Sequence, residues 1–126
     1  MIKLTFCLRR LPHLLRVEFQ TYWRETHGPL VEKHRDALKF STYNQVHTID
    51  SAMGSALGNV RGAPLAFDGF AEMTWASEQD LEVAMTSTEG RDAGRELLAD
   101  EKRFIDLEQS PISLGTMPFK LSNETI

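Results

Sequence analysis

The stretch FQTYWRETHGPLVEKH, Phe19–His34, decides how this chain folds. Read on to Leu38, it places Tyr22, Trp23, His27, Leu30, Val31, His34 and Leu38 at helical spacings of three and four, the pattern of a buried helix face. The imidazole of His27 stands on that face. Gly28 and Pro29 follow at once, and Pro29 has no N–H for the carbonyl of Glu25 and would clash with it in an unbroken helix. The spacing therefore predicts a helix that kinks or restarts beside His27. A restart with Pro29 in the first turn would aim free backbone N–H groups and a positive dipole end at the imidazole, and dipole and desolvation together would keep it neutral near pH 7.

Two readings of His27 follow from the residues. One is a core histidine whose hydrogen bonds are satisfied; the other is an acid–base group at a pocket. Trp23, one turn earlier, carries a polar N–H that needs a partner when buried. With Tyr22 and His34 on the same stripe, there are more polar tips than a dry core needs, and a partly wetted pocket is the economical explanation.

At 126 residues the chain fits a single domain, spanning 1–126, with a core large enough to need no disulfide or structural metal. Its 41% hydrophobic and 25% charged residues are those of an ordinary globular protein. The net charge of −4 argues against a nucleic-acid partner, which calls for a basic face. Cys7 is the one cysteine, so no internal disulfide forms, which fits a reducing compartment and makes the cytoplasm the expected location. No apolar run approaches a membrane span, and the N-terminal alternation lacks the order of a signal peptide.

Ile2, Leu4, Phe6 and Leu8 alternate with Lys3, Thr5, Cys7 and Arg9 and predict a first strand. The interrupted helix runs from about Arg16 to Leu38. A second strand is expected over Lys39–Thr48, with Tyr43, Gln45 and His47 on one face. The glycine-rich run Ile49–Ala66 reads as a loop with a marginal helical turn, either a lid or a plain surface connection. Phe67–Trp75 alternates as a third strand. Ser77 with Asp80 resembles a capping box opening a short helix; after the turn Thr88–Gly90, a second helical piece carries Ala93, Leu97, Phe104 and Ile105 and stops at Pro111. A last strand is expected over Ile112–Leu121.

The order β-α-β-β-α-β is the split βαβ plan of an α+β, ferredoxin-like fold, an antiparallel sheet with helices on one face. The other face is left open, with Cys7, Tyr43 or Asn44, Phe70, Met117 and Phe119 as candidates for it. That mixture is too apolar for water, so a two-fold homodimer packed sheet on sheet is expected.

The runs MIKLTFCLRRLPHL and EFQTYWRETHGPLVEKH, with Tyr43, FDGFAEMTW and the STEG turn, resemble EthD-domain proteins of the dimeric α+β barrel superfamily. The resemblance covers nearly the whole chain; the glycine-rich middle is matched least. It implies a ferredoxin-like protomer, a dimer whose sheets form a barrel, and a pocket between sheet and helices. The family takes its name from a small protein that accompanies an ether-degrading monooxygenase system. Related barrels include cofactor-independent monooxygenases, lactone isomerases and enzymes that dehydrate or decarboxylate polyketides, a range too wide to select a reaction from fold.

His27 is the leading general acid/base candidate, because an imidazole titrates near working pH. Tyr43 is the second catalytic candidate, a donor to a carbonyl, enolate or phenolate oxygen if it faces the pocket rather than the dimer barrel. Phe6, Tyr22, Trp23 and His34 are the expected substrate-binding residues. No metal is expected: His27 and His34 are about two turns, ~10 Å, apart on a continuous helix. No cofactor is expected either, since the glycines form no dinucleotide or P-loop fingerprint. The ligand is then a small hydrophobic molecule, aromatic, lactone, ether-type or polyketide-like. The chain either performs cofactor-independent chemistry on it (oxidation, isomerisation, dehydration or cyclisation) or holds it for a partner oxidoreductase.

Overall fold

A computed structural model describes residues 1–123. Strands β1 (Ile2–Leu8), β2 (Thr42–His47), β3 (Gly69–Trp75) and β4 (Ile112–Gly115) form one sheet in the order β2-β3-β1-β4. Neighbouring strands are antiparallel throughout. With helices between the strands, this is the expected α+β, ferredoxin-like βαββαβ arrangement.

The alternation in β1 works as read. Phe6 and Leu8 are buried beneath the helices, beside Ala71 of β3. The first helical segment is built in pieces: α1 (Arg16–Tyr22), a π-turn (Trp23–His27), α2 (Gly28–Lys33) and α3 (Arg35–Leu38). The N–H of Leu15 donates to Glu18 Oε1 at 2.8 Å at the start of α1, one half of a capping box.

Gly28 N–H reaches back to the carbonyl of Trp23, an i to i−5 bond. The wider turn is how the helix absorbs a proline that cannot donate; such single π-turns recur at functional sites. Pro29 then sits in the first turn of α2. The restart is as expected, but the N–H of Gly28 is spent on Trp23, so it is not aimed at the imidazole of His27.

Phe19, Trp23 and Phe104 are essentially inaccessible. Phe19 lies 5.7 Å from Trp23 and 5.5 Å from Phe104 between ring centroids, in tilted contacts, and burying each such ring is worth roughly 2–3 kcal/mol. Trp23 packs against Gly69, where an added Cβ would stand 2.5 Å from Trp23 Cζ3 and 2.8 Å from the carbonyl oxygen of Val46. The glycine of FDGF is thus the seat of the indole. Beside it Asp68, 2% exposed, accepts from Arg10 N at 2.8 Å and Arg16 Nε at 3.1 Å, and pairs with the Arg10 guanidinium. Burial pushes this carboxyl up, but those donors outweigh it and hold it below its ordinary range. Asp68 pins the ends of β1 and β3 to the start of α1.

Several boundaries differ from the sequence reading. Lys39 takes φ 59°, a left-handed conformation that closes α3 and delays β2 to Thr42. The glycine-rich run contains a full helix, α4 (Ala52–Asn59), capped by Ser51 Oγ on Gly54 N at 3.0 Å. It is ended by Gly62 at φ 60°, with Ala63 N bonded to Gly58 O. The glycines read as loop punctuation are partly helix terminators. Helix α5 (Glu78–Thr86) starts as expected, with Ser77 Oγ accepting from Asp80 N. Helix α6 (Thr88–Glu101) takes in the expected turn Thr88–Gly90 as its first turn, because Ser87 Oγ caps Gly90 N. It stops at Glu101, well before Pro111, and a short 3-10 turn, Leu107–Gln109, leads into β4. β4 ends at Gly115, so Met117 and Phe119 lie beyond the strand rather than on the open sheet face.

Register fixes that face as the side of Lys3, Thr5, Cys7, Asn44, Val46, Phe70, Glu72 and Thr74. It is more polar than expected, with Lys3 and Glu72 paired at 3.4 Å. Large exposed apolar side chains cluster elsewhere: Met53, Leu57 and Val60 in and after α4, and Ile112, Leu114 and Phe119 in and after β4. Among the described residues, no helix is long and apolar enough to cross a membrane.

Candidate functional site

Between sheet and helices lies a cavity of about 60 Å³, room for a few water molecules or one small chemical group. Phe6, Leu8, Ala71 and Met73 form its sheet side, and Trp23, His27, Val31, Leu97 and Glu101 its helix side. Tyr43 reaches it from β2. The residues lining it are apolar apart from His27, Tyr43 and Glu101. A wider cleft of about 310 Å³ adjoins at Val31 and Tyr43, with Arg35, Phe40 and Ser41 on its rim.

His27 is 5% exposed, and its Nδ1 is 2.8 Å from Asp100 Oδ2. An ionised carboxylate only accepts, so Nδ1 carries the proton and Nε2 is the basic nitrogen. No fully buried side-chain nitrogen or oxygen lacks a partner among the described residues, and Nε2 makes no hydrogen bond to them. Nε2 therefore opens to the cavity that His27 lines. Burial lowers the imidazole pKa below its ordinary value; Asp100 opposes this without reversing it. The neutral imidazole expected from the sequence is retained, and of the two causes expected it is desolvation that lowers the pKa.

Asp100 is 3% exposed and gathers three donors: His27, Tyr22 Oη at 2.5 Å and Arg103 Nη1 at 3.0 Å. Burial pushes its carboxyl up, and hydrogen bonds from Tyr22, His27 and Arg103 together hold it below its ordinary range. It is ionised at neutral pH and fixes the ring of His27. The carboxyl of Glu101, next to it, has no hydrogen bond or ion pair to the described residues. Burial, aided by the charge of Asp100, raises the Glu101 carboxyl to about 7. Burial likewise raises the phenol of Tyr43, partly offset by Gln45 and Trp23.

The structure brings together four of the six residues singled out from sequence, His27, Tyr43, Phe6 and Trp23, all on the cavity. Tyr43 faces the helices, which decides between its two possible faces. Tyr22 does not line the cavity; it stands behind His27, bonded to Asp100, with its ring 5.1 Å from Phe104. His34 does not line the cavity either; its Nε2 meets Glu96 Oε2 at 2.7 Å. Glu96 lies one turn before Asp100 on α6, so His34 keeps to the helix–helix seam that His27 also faces but stands beyond the cavity. Asp100 and Glu101 were missed in the sequence reading. Asp100 completes the spacing Ala93, Leu97, Asp100 on the apolar side of α6, which Phe104 continues just past its end, and a carboxylate on such a stripe was the available signal.

The EthD-domain family model matches residues 11–108. A search of curated proteins gave no match. Three solved structures show the same fold. An EthD-family protein from Bacillus halodurans is 22% identical with TM-score 0.60, over 92% of this chain and 97% of that one. A dimeric ferredoxin-like protein from Thermobifida fusca is 13% identical with TM-score 0.57, over 92% and 90%. SnoaB, a cofactor-independent oxygenase from Streptomyces nogalater, is 14% identical with TM-score 0.52, over 94% and 96%. With the family model spanning most of the sequence and the sheet order that of a ferredoxin-like fold, this chain belongs to the EthD-domain family.

Proposed function

We propose that this protein carries out cofactor-independent proton-transfer chemistry on a small apolar molecule, with His27 as the base. The observation that carries this reading is the His27–Asp100 pair. Nδ1 is anchored at 2.8 Å on a buried carboxylate while Nε2 opens to an apolar cavity. The arrangement holds one tautomer and one ring orientation, which is what a general base requires. Trp23, Phe6 and Met73 supply the apolar contact. A ligand larger than the cavity extends past Val31 and Tyr43 into the outer cleft.

We also propose that the working form is a homodimer. Two observations support it: apolar side chains are exposed on α4 and around β4, and the similar protein from Thermobifida fusca is described as dimeric. The single cysteine keeps the cytoplasm as its proposed location.

Hydrogen–deuterium exchange at the acidic C–H of small aryl ketones and lactones in D₂O tests the base. Exchange is expected with the wild type, weakening as pH falls through the imidazole pKa, and absent in His27→Gln. Equal exchange in both proteins overturns the role of His27. Ligand binding with no exchange assigns the cavity instead to holding a metabolite for a partner oxidoreductase.

A further inference from the structure

We propose that Tyr43 and Glu101 form a two-donor site for a single ligand oxygen, so that the cavity selects neutral molecules bearing a carbonyl. The proposal rests on the cavity reading above and adds the group that the polar side of the cavity recognises.

The direction of the Tyr43 hydroxyl follows from hydrogen-bond accounting around Gln45. The carbonyl of Trp23 only accepts, and Gln45 Nε2 lies 3.0 Å from it. The same nitrogen lies 2.9 Å from Tyr43 Oη. The Trp23 carbonyl fixes the amide, so Gln45 Oε1, 2.8 Å from His47 Nε2, accepts from it. One amide hydrogen goes to Trp23 and the other to Tyr43, so the phenolic oxygen is an acceptor in this network. Its own O–H is left to donate into the cavity that Tyr43 lines.

Glu101 supplies the second donor. It lines the same cavity, no Lys or Arg does, and no described residue hydrogen-bonds its carboxyl. His27 and Tyr43 share the cavity with it, Asp100 stands beside it on α6, and Tyr22 and Arg103 are engaged by Asp100. A carboxyl among apolar walls and next to a carboxylate keeps its proton. Burial accordingly raises it to about 7, and a protonated carboxyl donates.

A phenol and a neutral carboxyl aimed at one oxygen stabilise charge that develops there, as in an oxyanion hole. The step balances within the site. His27 Nε2 takes the proton of a C–H beside the carbonyl, the C–H electron pair moves to make the enolate, and its oxygen is met by Tyr43 and Glu101. Return of the proton to carbon regenerates every group, with no co-reactant.

Acetophenone, an acceptor only, and its hydrocarbon isostere α-methylstyrene separate recognition of the oxygen from apolar filling. At pH 6, Tyr43→Phe is expected to weaken acetophenone ~10-fold, the worth of one buried hydrogen bond, and α-methylstyrene much less. Raising pH from 6 to 8.5 is expected to weaken acetophenone by a similar factor in the wild type. In Glu101→Gln the amide N–H donates at either pH, so the loss disappears. The carbonyl carbon of bound ¹³C-acetophenone should shift downfield at pH 6 and relax in Tyr43→Phe. Equal responses of both ligands to Tyr43→Phe, or an acetophenone affinity flat across that pH range in the wild type, overturn the two-donor site while leaving the cavity reading intact. Failure of both ligands to bind at millimolar concentration overturns both.

Discussion

Glu101→Gln should stabilise the protein at alkaline pH and do little in acid. In the folded chain burial raises this carboxyl from its ordinary 4.5 to about 7. Between those values the folded state holds a proton that the unfolded state has lost, so stability falls as pH rises. The contribution is complete below the unfolded pKa and gone above the folded one. A shift of that size corresponds to about 3 kcal/mol at 1.36 kcal/mol per unit, and solvent screening at a side chain that is not fully enclosed brings it to about 2 kcal/mol. Glutamine has the same shape and no titration. Urea unfolding of both proteins at pH 5 and pH 8 measures the effect as a difference of differences, in which the opposing titrations of His27 and Asp100 largely cancel. The gap should move by about 2 kcal/mol in favour of Glu101→Gln at pH 8, about 1 M in the urea midpoint. A gap that stays constant with pH, or one that favours the wild type at pH 8, refutes the burial argument for Glu101.

Gly69→Ala drives a methyl to 2.5 Å from Trp23 Cζ3, so it should cost about 1–3 kcal/mol in thermal unfolding; the cost should shrink in a Trp23→Leu background, and equal costs would mean the indole is not seated there. Asp100→Asn removes the group that opposes burial at His27, so NMR titration should place the imidazole pKa below the wild-type value; an unchanged or raised pKa would mean that Asp100 does not hold the ring. The homodimer should sediment at twice the 14.3 kDa chain mass at micromolar concentration, and a stable monomer there removes it.

What the sequence by itself determined was periodic. Alternation in Ile2–Leu8 and Phe67–Trp75 and the three-and-four spacing around Trp23 and His27 each report which side of an element faces the core. Those patterns yielded the strand–helix order, the placement of Phe6, Trp23 and His27, and the break at Pro29, because a proline without an N–H forces one wherever the chain is helical. Tertiary structure decided what brings distant segments together. Asp100 lies 73 positions from His27, and no local periodicity records that its carboxylate meets that ring rather than solvent. The face of Tyr43 was likewise open until pairing with β3 put Tyr43 opposite Met73. The free hydroxyl hydrogen followed only from Gln45, whose amide is oriented by a carbonyl that the π-turn turns toward it. His34 shows the converse: helical spacing put it on the stripe with His27, and it does meet α6 there, but at Glu96, one turn from Asp100 and outside the cavity. The titration of Glu101 is also tertiary, since a carboxyl changes its pKa through the burial that the other elements impose on it.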